Sequence, residues 1–88
     1  MAGAVQVTLY TRAACPLCEK AKAAIVEASR ASGLSIELEE IDIDYDLDLL
    51  AKFNDHVPVI YVDGSEAFRH RVTPAELASF IRKRRIGA

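Results

Sequence analysis

The run VQVTLYTRAACPLC at residues 5–18 decides how this chain folds, because it joins a strand-like segment to a helix-like segment across two cysteines. Its first half alternates Val and Leu with polar side chains, which is typical of a strand. From Pro16 onward apolar residues recur at helical spacing, and proline suits the first helical turn because its missing N–H costs no hydrogen bond there. Cys15 and Cys18 are the only cysteines in the chain. A Cys-x-x-Cys pair at such a junction predicts a dithiol redox centre.

The position of the pair suggests a separate role for each cysteine. A thiolate at a helix N-terminus faces unpaired N–H groups and the positive end of the helix dipole, which favours the ionised form. The thiolate is the nucleophile in thiol–disulfide exchange. We therefore expect Cys15, at the mouth of the helix, to be the exposed attacking group. Cys18, one turn further on, is expected to be more covered and to resolve the mixed disulfide.

Length and composition predict one small globular domain. The chain has 88 residues, of which 51% are apolar and 27% charged, and a net charge of −2 that does not indicate a nucleic-acid partner. It has no apolar run long enough for a membrane span and no signal-like N-terminal segment, so a cytoplasmic monomer is expected. In the cytoplasm a close cysteine pair is typically catalytic or metal-binding rather than a structural staple. We predict a single domain over residues 1–88, with loose ends at about 1–4 and 83–88.

The hydrophobic pattern predicts the element order β-α-β-α-β-β-α. The predicted segments are strand 5–10, a helix from Pro16 to Gly33, strand 35–43, a short helix capped by Asp44 or Asp46, strand 57–62, strand 66–72, and a helix that starts at Thr73. Alternating strands and helices in the first half require parallel pairing, and the Asp63-Gly64 turn indicates a hairpin in the second half. One mixed four-stranded sheet with helices on both faces satisfies these requirements.

Charge is distributed unevenly along the chain. Residues 37–48 contain seven acidic side chains and no basic one, whereas residues 82–85 are all basic. We interpret the acidic run as the solvent face of an edge strand followed by a helix start, where acids discourage edge-to-edge pairing. The basic run is interpreted as a helix C-terminus that complements its own dipole.

The motifs together resemble the glutaredoxin-like proteins of the thioredoxin-fold superfamily, in particular a short branch with Cys-Pro-Leu-Cys. The resemblance lies in Cys15-Pro16-Leu17-Cys18, in the preceding Leu9-Tyr10-Thr11-Arg12, in the following Ala21-Lys22, and in Val57-Pro58 before a β-run. It implies a thioredoxin-like α/β fold and a thiol–disulfide oxidoreductase in which Cys15 and Cys18 form the redox disulfide. It further implies that Pro58 is cis, and that the backbone of Val57 binds an extended peptide or a glutathione-like substrate.

Two features depart from the glutaredoxin pattern. Leu17 stands where glutaredoxins have an aromatic residue, and residues 63–66 form a single-glycine hairpin where they have a Gly-Gly followed by an acid. The partners that the resemblance implies are a disulfide-containing protein or a glutathione mixed disulfide. No bound cofactor is expected, and either glutathione or a thioredoxin reductase would regenerate the dithiol.

Several assignments remain open from sequence alone. Arg12 is a candidate for stabilising the thiolate or binding a substrate carboxylate, and a solvated loop arginine is the alternative. His56 is interpreted as structural or exposed rather than catalytic. The domain has two other candidate functions. It could be a non-catalytic module that docks on a partner through Val57-Pro58. It could also be a carrier of zinc or an iron–sulfur cluster, with a site formed across a dimer by one cysteine pair from each subunit.

Overall fold

The computed structural model describes the backbone of residues 4–87 and the side chains of residues 4–84. The elements follow the predicted order, with one added 3-10 turn. They are β1 (Val5–Thr11), α1 (Pro16–Ser32), β2 (Ile36–Asp42), the 3-10 turn Ile43–Tyr45, α2 (Leu47–Phe53), β3 (Val59–Val62), β4 (Ser65–Arg69) and α3 (Pro74–Gly87).

The four strands form one mixed sheet in the order β2-β1-β3-β4. Strand β1 pairs in parallel with β2 and antiparallel with β3, so it lies at the centre, and β2 is an edge strand as the acidic run indicated. Tyr10 is the register partner of Val59. The residues just before β3 therefore lie at the same end of the sheet as the loop that follows β1.

The sheet has a packed core on each face. On one face α1 and α3 cover Val7, Leu9 and other alternate strand residues, and all of these side chains are at most about 1% exposed. On the other face α2 packs Phe53 against Val59 and Ile43, with Tyr10 beside them. Because successive strand residues point to opposite faces, the Val-x-Val-x-Leu alternation of β1 supplies the first core while Tyr10 supplies the second.

The structure confirms the thioredoxin-like α/β fold and corrects the boundaries of two strands, β3 and β4. Strand β3 begins at Val59 rather than Val57, because Pro58 has no N–H to give to a strand ladder. Strand β4 ends at Arg69 rather than Val72, because His70 adopts a left-handed φ of 68° that turns the chain out of the sheet.

Helix α3 includes most of the C-terminal segment that we assigned to a loose end. It continues to Gly87, so the described backbone of residues 83–87 is helical, and the looseness of this end stays a prediction. Lys and Arg are good helix formers and complement the dipole at a C-terminus, which explains why the helix does not stop earlier. Residues 1–3 and 88, which we also assigned to loose ends, lie outside the described residues.

Candidate redox site

Cys15 occupies the N-cap position of helix α1. The preceding loop residue, Ala14, has a positive φ of 54°, and Cys15 itself is extended, with φ −113° and ψ 101°. The backbone N–H of Cys18 donates to the Cys15 sulfur at 3.2 Å, so sulfur accepts the hydrogen bond that a capping oxygen ordinarily accepts. Pro16 occupies the first helical position, where no donor is needed. The local sequence thus places one sulfur atom at the positive end of a 17-residue helix.

The two cysteines differ in exposure in the direction that the sequence predicted. Cys15 is half-buried, whereas Cys18 is 3% exposed and packs with the other buried residues of α1. Their sulfurs are joined as a disulfide, and their Cα atoms are 5.2 Å apart. A thiol partner from solvent therefore has access to Cys15, while Cys18 is accessible chiefly to Cys15.

The Val57-Pro58 segment adjoins this end of the sheet. The Val57–Pro58 peptide bond is cis, as the resemblance implied, and Pro58 is buried. The Pro58 carbonyl accepts a 2.7 Å hydrogen bond from the backbone N–H of His70. Between residues 4 and 87, none of the backbone hydrogen bonds outside helices and strands involves Val57.

Arg12 is held by the protein itself. Its guanidinium contacts the Asp44 carboxylate at 2.6 Å and donates to the Asn54 carbonyl at 2.8 Å. The hydrogen bond to Asp44 raises the pKa of Arg12, so the side chain stays charged. These contacts tie the loop before Cys15 to the 3-10 turn and to the end of α2, both of which are distant in sequence.

A groove of about 190 Å³ lies beside the cysteine turn, between the start of α1 and the start of α3. Leu17, Lys20 and Ala21 form one wall, and residues 70–73 with Glu76 form the other. The N-terminus of α3 is closed by its own side chains, because Thr73 and Glu76 exchange side-chain to backbone hydrogen bonds of 2.9 and 3.1 Å. The lining of the groove combines apolar side chains, among them Leu17 and Val72, with the basic side chains of Lys20 and Arg71.

Sequence reasoning missed part of this site. His70 was not singled out, yet its ring stacks on that of His56, with centroids 6.0 Å apart and planes within 6°. Both histidines are exposed, which agrees with the interpretation of His56 as an exposed side chain. Lys20, which no motif singled out, also lines the groove. The signal that could have located the groove is the Thr-Pro-x-Glu helix start, which had to follow directly after the returning hairpin strand.

Two other kinds of feature are absent from residues 4–87. Within that range no group of three or more His, Cys, Asp or Glu side chains is arranged to hold a metal ion. None of the described helices is both long and apolar enough to cross a bilayer.

A family model described as a glutaredoxin-like domain (Glrx-like, DUF836) matches residues 6–82. The match includes the cysteine turn, Val57-Pro58 and most of α3. No curated protein sequence matches this chain.

Solved structures share the fold. The X-ray structure of the structural-genomics target XcR50 from X. campestris is 28% identical, covers 88% of this chain and 96% of its own, and has a TM-score of 0.74. Protein Ne2328 from Nitrosomonas europaea is 26% identical over 91% of this chain and 94% of its own, with a TM-score of 0.74. Thioredoxin-2, a component of malaria parasite protein secretion machinery, is 24% identical over 94% and 85%, with a TM-score of 0.69, and that likeness concerns the fold alone.

Proposed function

This chain belongs to the glutaredoxin-like (DUF836) family, and from that premise we propose that it is a thiol–disulfide oxidoreductase that uses Cys15 and Cys18. One observation supports the proposal most directly. The half-exposed Cys15 sulfur caps α1 and accepts the Cys18 N–H, while the second sulfur is buried behind it and bonded to it. An N–H donor and a helix N-terminus at one sulfur stabilise a thiolate, which is the reactive form.

The reaction proceeds in two thiol–disulfide exchanges, which together transfer two electrons from the protein dithiol to the substrate disulfide. The Cys15 thiolate attacks one sulfur of a substrate disulfide, forms a mixed disulfide with it and releases the other substrate sulfur as a thiolate. Cys18 then loses its proton, attacks the Cys15 sulfur and releases the second substrate thiolate. The substrate disulfide has gained two electrons and, after protonation, two protons, and the protein dithiol has become the Cys15–Cys18 disulfide.

Regeneration of the dithiol requires an external reductant. We propose glutathione, two molecules of which would leave as glutathione disulfide, or a flavin-dependent thioredoxin reductase. The proposed compartment is the cytoplasm, where both reductants operate. Substrates would be protein disulfides or glutathione mixed disulfides.

The neighbouring residues have distinct proposed roles. Val57 would hydrogen-bond the backbone of an extended substrate, since its own backbone groups are free within the described fold. Arg12, which we predicted as a substrate contact, is bonded to Asp44 and Asn54, so we assign it to positioning the loop before Cys15. Leu17 would contact the substrate beside its sulfur, because it lines the adjoining groove.

The test is an equilibrium titration of the protein in glutathione buffers of graded redox ratio, with acid trapping and intact-mass detection. Wild-type protein should lose two hydrogens in one step and recover them on reduction. The matched single-cysteine variants separate the roles. Cys18→Ser should accumulate a stable glutathione adduct on Cys15. Cys15→Ser should form an adduct on Cys18 much more slowly, because Cys18 is buried.

Two results would contradict the proposal. One is a wild-type cysteine pair that stays reduced in strongly oxidising buffer, which would favour the docking module instead. The other is a Cys15→Ser variant that reduces small disulfides as fast as the wild type.

A further inference from the structure

The most exposed large apolar side chains of the described residues are Tyr45, which is 89% exposed, and Leu47, which is 83% exposed. Tyr45 ends the 3-10 turn and Leu47 begins α2, two residues further on. Thr11 is the register partner of Asp42 in the parallel pair β1–β2, so this segment follows β2 at the same end of the sheet at which the Cys15 loop follows β1. The Cα atoms of Tyr45 and Leu47 are within about 7 Å of each other. Single exposed apolar residues are ordinary, but two such side chains in this position form a projecting pair. We refer to Tyr45 and Leu47 as the projecting pair.

The projecting pair alternates along the chain with three acidic residues, Asp44, Asp46 and Asp48. Residues 37–48 contain seven acids, and in the described part of the chain two of these form ion pairs, Asp44 with Arg12 and Glu40 with Lys22. The remaining acids include Asp46 and Asp48, which flank Leu47 directly. A partner that covers this surface must accordingly bring positive charge around an apolar contact.

The backbone that carries the projecting pair is connected to the loop that carries Cys15. Asp44, next to Tyr45, contacts Arg12 at 2.6 Å, and Arg12 precedes Cys15 by three residues, which span at most about 11 Å. A specific protein interface covers about 800 Å² on each partner, equivalent to a disc roughly 30 Å across. A protein whose disulfide reaches Cys15 can therefore also cover the projecting pair, whereas a small disulfide cannot.

We propose that Tyr45 and Leu47, with the acids that alternate with them along the chain, form the docking contact for protein disulfide substrates that carry a basic, apolar surface beside the disulfide. This inference rests on the proposed function and specifies its substrate class. Tyrosine is enriched among the residues that contribute most to protein interfaces, and opposite charge raises the rate of encounter. The contact would thus select among protein substrates without affecting the chemistry at Cys15.

The test compares rates at which three oxidised probes convert the reduced protein to its disulfide form, measured by rapid acid quench and intact mass. The first probe is the neutral bis(2-hydroxyethyl) disulfide. The other two are synthetic peptides with the same internal disulfide and the same leucines, one carrying lysines and the other glutamates at matched positions. We expect the lysine peptide to react about tenfold faster than the glutamate peptide at low salt, and the ratio to fall as salt screens the charges.

The variant Tyr45→Ser/Leu47→Ser should lower the rate with the lysine peptide about fivefold or more and leave the rate with hydroxyethyl disulfide unchanged. The matched control is Val26→Ser, which removes another exposed apolar side chain, 55% exposed, from the outer part of α1. This control should leave all three rates unchanged.

The outcomes distinguish the two proposals. If no probe oxidises the cysteines, the oxidoreductase function itself is wrong. If all three probes react but the double variant is oxidised by the lysine peptide as fast as the wild type, the docking inference is wrong and the function stands. A concentration-dependent dimer that disappears in the double variant would also overturn the inference, because a second copy would then be the occupant.

Discussion

Tyr10, Phe53 and Tyr61 form an aromatic cluster between α2 and the sheet, and the cluster supports a quantitative prediction about what holds α2 in place. Phe53 is 1% exposed, and its ring centroid lies 4.9 Å from that of Tyr10 and 6.2 Å from that of Tyr61. Replacing a buried Phe by Ala removes the transfer free energy and leaves a cavity, at a typical cost of about 3–5 kcal/mol. A chain of this length has a free energy of unfolding of about 4–13 kcal/mol, so Phe53→Ala should remove a large fraction of it.

A double-mutant cycle isolates the ring–ring part of that free energy. The variants are Tyr10→Leu, Phe53→Leu and the double mutant, because leucine keeps much of the buried apolar area without the aromatic ring. We expect a coupling free energy of about 0.5–1.5 kcal/mol, the usual value for an aromatic pair. The assay is urea unfolding followed by far-ultraviolet circular dichroism, with the m-value checked for constancy.

The control cycle pairs Tyr10→Leu with Phe80→Leu. Phe80 packs against Phe68 beside the core under α1 and α3, on the other face of the sheet. These two changes should be additive to within about 0.5 kcal/mol. We expect the contact between the rings, and not their buried area alone, to hold α2 on the sheet. A Tyr10–Phe53 coupling free energy no larger than that of the Tyr10–Phe80 control would refute this.

Three further predictions follow from local geometry. Thr73→Ala removes the cap of α3 and should lower stability by about 1 kcal/mol, which shifts Tm by roughly 4–8 °C in thermal unfolding, whereas Thr73→Ser should retain most of it. Gly33→Ala places a Cβ at φ +73° at the end of α1 and should cost about 1–2 kcal/mol in urea unfolding, although nothing crowds the position. The hydrogen bond from Arg69 lowers the pKa of Glu66 from its ordinary 4.5, so the pair stabilises the fold above that pH and the effect is lost as pH falls through the lower folded value. Glu66→Gln should therefore be slightly less stable than wild type at pH 7 and equal to it near pH 2, and an unchanged difference at both would contradict this.

Features encoded by neighbouring residues were predictable from the sequence. The strand-to-helix junction, the proline at the start of α1 and the Thr-Pro-x-Glu start of α3 depend on contacts within a few residues, so the pattern alone located them. The edge position of β2 was also predictable, because its acids need solvent. The cis state of the Val57–Pro58 bond came only from the family resemblance, since most bonds before proline are trans.

The remaining features depend on contacts between residues that are distant in the chain. Arg12 contacts Asp44 and Asn54, which lie 32 and 42 residues further on, and no local pattern identifies them as its partners. His70 adopts a left-handed conformation although it is not a glycine. This conformation ends β4 at Arg69 and directs the chain into the segment that lines the groove. The exposure of Tyr45 and Leu47 was also not predictable from the sequence, because an apolar residue in an amphipathic pattern is ordinarily assigned to the core.

The central position of β1 has a consequence for amide hydrogen exchange. Its backbone is hydrogen-bonded on both sides, to β2 and to β3, while β2 and β4 each have one free edge. Amides at Val7 and Leu9 should consequently exchange only through the largest opening events, and those of the edge strands through smaller ones. The Cys15 loop thus begins at a strand that is paired on both sides, and we expect fluctuations near the sulfur atoms to be confined to the few residues between Thr11 and Pro16.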